Sequence, residues 1–400
     1  MIQELREDFN RGFTPEKYAQ FLRGLEAVCG EPVEFRNSET PCFLPKELLD
    51  AMSTAGHELV HQLLSSDRYI EASDRMIPAR HRAPRDEPQP MFVQADFGVI
   101  RDRDGEFQPR LVEIQGFPSL YCYQPALAEQ YRCAYELADS LNTYLGGHDA
   151  DSYRALLRRA IVGNHDPENV VLLEIDPAQQ KTRCDFTLTR RMLGVETVCL
   201  TEVIREGNRL FYRRPDGSQV PIHRIYNRVI VDELERRKIE PPFSFSDPLD
   251  VEWAGHPNWF FRLSKFSIPY FDHPTVPRTW FLSELQEPPM APERLVLKPL
   301  YSFAGAGVIV GPTAKEIRTI PEDLRDGYIL QERMDFAPLI DTPEGGAKAE
   351  VRIMYVWLPG EQMTPVNTIV RMGRGKMMGV DHNKNMRWVG ASAAFYPAGS

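Results

Sequence analysis

Apolar and polar positions change their spacing several times along the chain, and each change predicts an element. Between Pro15 and Ser66, Leu48, Leu49, Met52, Leu59, Val60, Leu63 and Leu64 recur at helical spacing, and Thr14-Pro15 reads as an N-cap with proline at the first helical position. Met91 to Ile100 and Arg110 to Gln115 read instead as the strands of a hairpin turning at Arg103-Asp104-Gly105. A sharp turn, Gly116-Phe117-Pro118-Ser119, leads to a helical pattern from Tyr123 to Leu145 that Gly146-Gly147 closes. Strand (Val170 to Ile175), helix (Gln179 to Leu193) and strand (Glu196 to Leu200) then form a compact βαβ unit, which favours a parallel sheet. A polar hairpin turns at Pro215-Asp216-Gly217-Ser218. The proline- and aromatic-rich stretch Pro241 to Pro257 reads as a surface excursion or lid, and Trp259 to Phe266 as a short helical piece. Arg294 to Gly311 reads as strand, small-residue loop, strand; Gly327 to Met334 and Glu350 to Trp357 are further strands.

This pattern predicts a mixed α/β (α+β) chain. Its parts are an N-terminal helical region over 1–90, a hairpin and helix over 91–165, a βαβ subdomain over 166–257 and a lysine-bearing C-terminal region over 258–400. The length, 400 residues, exceeds what one core usually serves. A net charge of −10 argues against nucleic acid or an anionic membrane as partner and favours small molecules. Six cysteines without CxxC or Cys/His clustering point to neither a zinc site nor a disulfide framework, and a reducing cytoplasm is the expected location. The first residues lack the apolar core of a secretory signal, and no uncharged apolar run is long enough to span a bilayer.

Chemistry enters with residues that break the apolar pattern. Lys298 ends a strand and is followed by Ser302, Gly305, Ala306 and Gly307, a loop whose backbone N–H groups can approach a polyphosphate, or simply the tip of a β-hairpin. Lys265, among aromatics, either snorkels or supplies a second cation. Asp96 and Glu113 interrupt paired strands, with the Gln115 amide on the same face as Glu113; together they offer the hard oxygen ligands of Mg²⁺, or point outward from a half-exposed hairpin. Ser119 is a helix cap or a ligand contact. Arg352 and Arg371, in apolar strands, require an anionic partner, either a structural carboxylate or a phosphate.

Taken together these pieces resemble the ATP-grasp superfamily, and their order resembles its circularly permuted branch, which includes glutathionylspermidine synthase and eukaryotic-type glutathione synthetase. The resemblance rests on Ala95-Asp96-Phe97, Asp104-Gly105, Val112-Glu113-Ile114-Gln115 and Pro118-Ser119, then Ser264-Lys265 with Ile268-Pro269, and Leu297-Lys298-Pro299 with its glycine loop. It implies antiparallel sheets flanking a nucleotide cleft, ATP and Mg²⁺ as cofactors, and an ADP-forming carboxylate–amine ligase working through an acyl phosphate. Its implied metal ligands are Asp96, Glu113 and Gln115. Lys265, Lys298 and the Ser302 to Gly307 loop would meet the phosphates, and Gln331, Glu332 and Met334 the adenine hinge; Ser119 would contact the acyl substrate. Two departures stand out: Gln115 replaces the family's asparagine, and Gln94 replaces an arginine that steadies the acyl phosphate, a charge that Arg352 or Arg371 would have to supply. The alternatives are a phosphotransferase on the same fold or a nucleotide-binding protein without chemistry.

Overall fold

The computed structural model describes residues 1–301, 307–375, 378, 383 and 385–398. Its centre is a five-stranded antiparallel sheet in the order Gly390–Ser392, Thr364–Gly373, Lys348–Val356, Phe92–Arg101, Phe107–Gln115. Residues of this sheet alternate between a core face and a polar face. On the core face Val93, Ala95, Phe97, Val99, Val351, Ile353, Tyr355, Val370 and Met372 pack on the helix Lys46–Leu64 through Leu49, Met52, Leu59 and Val60. Burying each such side chain contributes about 1.5–3 kcal/mol, so this contact anchors the sheet. Gly56 permits the close approach, because a Cβ there would lie 2.2 Å from Tyr355 Oη, which itself hydrogen-bonds the Ser53 carbonyl at 2.8 Å.

Register fixes the polar face. Asp96 lies opposite both Arg352 and Glu113, Gln94 opposite Gln115, and Glu350 opposite Arg371. The period of two therefore collects seven polar side chains from four strands on one side of the sheet.

A second antiparallel sheet, ordered Thr279–Phe281, Tyr328–Glu332, Leu295–Pro299, Ile309–Val310, lies across a cleft from that face. Leu295, Leu297 and Leu330 pack away from the cleft against Ile317 and Leu282. Alternation then turns Val296, Lys298 and Gln331 inward. At the end of the loop that follows, Gly307 has φ 71°, and a Cβ on it would meet the Pro299 ring at 2.8 Å.

The predicted βαβ unit lies in an all-parallel sheet, Glu252–Ala254, Arg224–Asn227, Val170–Glu174, Glu196–Cys199, with Ile204–Ile222 folded as an adjoining antiparallel meander. Asp185, on the crossover helix, accepts hydrogen bonds from the backbone N–H groups of Leu120, Cys122 and Tyr123. It thereby caps the helix Tyr123–Tyr135 from another element and fixes the Gly116 to Ser119 turn. Arg228, between the rings of Phe117 and Phe186, donates to the Pro118 carbonyl in the same turn.

Burial raises the Glu174 carboxyl to about 8, with the Arg228 charge offsetting only part of that. A carboxyl raised in the folded state contributes stability that is complete below its unfolded value of 4.5 and is lost as the pH climbs to about 8. The melting temperature is therefore expected to fall by several degrees between pH 5.5 and pH 8.5, and by clearly less in Glu174→Gln. Equal slopes in thermal melts of the two proteins would remove Glu174 as the cause.

Three sequence expectations need correction. The helix expected over Tyr123 to Leu145 ends at Tyr135, where Glu136 turns left-handed at φ 54°; Leu141–Asn142 instead pairs with Ala394–Pro397, which also pairs with Cys42–Phe43. Within the expected helix from Gln179, Pro177–Gln179 makes a 3-10 turn and the helix proper is Arg183–Leu193. Pro241 to Pro257 is neither excursion nor lid: Phe243, Phe245, Leu249, Val251 and Trp253 are core residues of the parallel-sheet unit, and Glu252–Ala254 is its edge strand.

Candidate active site

The two antiparallel sheets enclose a cleft of about 230 Å³. Its apolar lining comes from Val296, Val308, Val310, Met334, Phe336 and Met378. Its polar and charged lining comes from Glu113, Lys265, Lys298, Gln331, Glu332, Arg333, Asp335, Lys348, Glu350 and Arg371. A cleft that combines apolar walls with several cations suits a flat heterocycle bearing an anionic tail.

Lys298 is 6% exposed and donates to the Val112 carbonyl at 3.0 Å and to Gln331 Oε1 at 2.6 Å. Burial lowers its ammonium to about 8, with the Glu113 charge opposing the shift. Gln331 is fixed in turn by donating to Thr279 Oγ1 at 3.2 Å. Lys265 Nζ lies 3.5 Å from Glu113 Oε2. The capping box of Ser264 and Ser267 starts the short 3-10 helix that aims this lysine at the cleft.

Asp96 sits beneath the cleft floor at 1% exposure. Arg352 grips it bidentately, Nε on Oδ1 at 2.5 Å and Nη2 on Oδ2 at 2.7 Å, and Arg371 donates to Oδ2 as well. Burial alone would raise the carboxyl, but Arg352 and Arg371 outweigh it and hold it down to about 2. Arg371 also pairs with Glu350, whose carboxyl burial raises to about 7. Arg352 reaches further, donating to Gln94 Oε1 at 2.9 Å and lying 3.7 Å from Glu113. Gln94 Oε1 accepts from Gln115 as well, at 2.7 Å, and Gln94 Nε2 donates to the Ser119 carbonyl at 2.8 Å.

The structure therefore brings Glu113, Lys265, Lys298, Gln331, Glu332, Met334 and Arg371 to one cleft. Asp96 and Arg352 lie directly behind it. Gln115 lines a small neighbouring hollow that shares Glu113 and Lys265. Ser119 joins the network through its backbone carbonyl. Gly307 is exposed at the loop's end; Ser302, Gly305 and Ala306 lie outside the described residues. Glu350 was not singled out from sequence, and Gln94 only as a departure from the resembled family. Glu350 could have been, because it stands two positions before Arg352 in a strand and so shares its face.

The same geometry bears on Mg²⁺. A divalent cation needs carboxylate oxygens free to converge on one point. Both oxygens of Asp96 accept from guanidinium groups, Glu350 is paired with Arg371, and Glu113 has an ammonium and a guanidinium within 4 Å. Asp96, Glu113 and Gln115 as arranged do not fit Mg²⁺, and among the described residues no group of three or more His, Cys, Asp or Glu is poised to hold a metal.

No family model and no curated protein matches the chain. Among solved structures it is similar to a glutathione synthetase-like effector from Globodera pallida in its apo form, with a TM-score of 0.57 and 13% identity over 96% of each chain. The chain has a glutathione synthetase-like fold. At this identity the likeness speaks for the fold alone, a mixed α/β arrangement of parallel and antiparallel sheets with helices. No helix among the described residues is long and apolar enough to cross a membrane.

Proposed function

We propose that this chain is an ATP-dependent carboxylate–amine ligase of the circularly permuted ATP-grasp kind, which releases ADP and phosphate. The observation that carries the reading is the convergence on one cleft of lysines and carboxylates from opposite ends of the chain: Lys298 hydrogen-bonds the Val112 carbonyl, 186 positions earlier. The hairpin Phe92–Gln115 precedes the lysine strands in sequence, the permuted order.

In this reading the adenine lies among Val296, Val310, Met334 and Phe336, and its phosphates run toward Lys298, Lys265 and Arg371. A substrate carboxylate attacks the γ-phosphorus; its O–P bond forms as the bond to ADP breaks. Negative charge on the acyl phosphate faces Arg371, with Arg352 behind it. An amine then attacks the acyl carbon, the C–N bond forms, inorganic phosphate leaves and the nitrogen loses a proton. Positioning and charge neutralisation carry both steps, which agrees with a site built from cations without a nucleophile triad. Gln94 ties the Ser119 turn to the arginine network, and in this reading that turn meets the substrate carboxylate.

ADP release from purified protein and ATP, measured against pools of carboxylates and amines, tests the reaction. Release that needs both a carboxylate and an amine is the expected result. Release with an acceptor but no amine would make the chain a phosphotransferase, and no release from broad pools would leave a nucleotide-binding protein without chemistry.

A further inference from the structure

Arg352, on the strand next to Gln94 and Asp96, donates to Gln94 Oε1 and grips both oxygens of Asp96. The positive charge at the cleft floor is therefore covalently part of the protein. Arg371 completes it, joining Asp96 to Glu350. Among the described residues Lys265, Lys298, Arg333, Lys348 and Arg371 line the cleft against Glu113, Glu332, Asp335 and Glu350, so the lining carries one more cation than carboxylates toward an entering anion. Asp96 and Arg352, one of each sign, lie beneath that lining. A divalent cation approaching Glu113 would sit beside Lys265 at 3.5 Å and Arg352 at 3.7 Å from that carboxylate. Coulomb repulsion at such separations, in a low-dielectric cleft, opposes it.

We infer that the cleft binds its nucleoside triphosphate as the free anion, with Arg371, Lys265 and Lys298 holding the phosphates, and that binding requires no divalent cation. This rests on the nucleotide reading of the cleft. Phosphate oxygens compete with Glu113 for Lys265 and with Glu350 for Arg371. The long ion pair at Lys265 is the easier of these to exchange, whereas the bidentate Arg352–Asp96 pair stays closed and supports the floor.

Titration of ATP into the full chain by calorimetry, once with excess Mg²⁺ and once with EDTA, decides the matter. The expected dissociation constants agree within about threefold, and both weaken steeply with added salt. Binding more than about tenfold tighter with Mg²⁺ overturns the inference. Absence of binding in both conditions overturns the nucleotide reading itself and the inference with it. Glu113→Gln gives an independent check. Removing an anion that faces the phosphates should strengthen ATP binding in EDTA several-fold; weaker binding, confined to the Mg²⁺ condition, would identify Glu113 as a metal ligand and overturn the inference.

Discussion

Lys298→Met is expected to weaken ATP binding by on the order of 100-fold or more while the fold survives, as a buried charge-assisted contact to phosphate is removed. Methionine is close to lysine in length and flexibility and fills the same slot. The substitution removes the donor to the Val112 carbonyl and to Gln331 Oε1, which costs about 1–3 kcal/mol for each acceptor left without a partner. It also removes the burden of keeping an ammonium at 6% exposure, which burial already pushes down to about 8. These opposing effects leave the melting temperature near that of the unsubstituted chain, so lost binding reports on the site. The unsubstituted protein should in addition lose affinity as the pH rises through about 8 and Lys298 gives up its proton, a step absent from Lys298→Met. Calorimetric titration across pH 6.5 to 9.5 measures both effects. Unchanged affinity in the variant would separate this lysine from the nucleotide.

Much of this site was legible because strands alternate. Asp96, Glu113 and Lys298 interrupt apolar strands, and an interruption with period two names a face. What the spacing did not contain was register across strands far apart in sequence. Arg352 pairs with Asp96 over 256 positions and Arg371 with the same residue over 275. No local pattern distinguishes an arginine waiting for phosphate from one already neutralised by a carboxylate. The metal-ligand expectation for Asp96 came from the resemblance, and spacing alone could not weigh it against an ion pair: an acid in a strand signals a charged partner but not which one. The helix end at Glu136 escaped for a similar reason. Leu137, Ala138 and Leu141 continue the helical period by residue type, yet Leu141 is claimed by a strand pairing with Pro397. In Pro241 to Pro257 the prolines read as punctuation, while the aromatics between them form one wall of the parallel-sheet core.

Asp96→Ala is expected to destabilise the folded chain by about 3–5 kcal/mol, the range for breaking a buried ion pair from one side. The loss would leave Arg352 and Arg371 in a nearly dry floor with Glu113 and Glu350 as their carboxylate neighbours among the described residues. Asp96 contributes its stability above its unfolded value of 3.8, and that contribution is lost as the pH falls through about 2, so the full cost should appear at neutral pH. Denaturant unfolding of Asp96→Ala, Arg352→Met and the double variant separates the pair from its surroundings. The double variant should recover part of the loss, because the removed carboxylate no longer leaves the Arg352 guanidinium uncompensated. If instead Asp96→Ala keeps the stability of the unsubstituted chain and loses only Mg²⁺-dependent nucleotide binding, its oxygens serve a cation and the arginines are replaceable neighbours. Stability and metal dependence thus move in opposite ways under the two roles, and one residue in two measurements distinguishes a floor made of protein charge from a floor that waits for an ion.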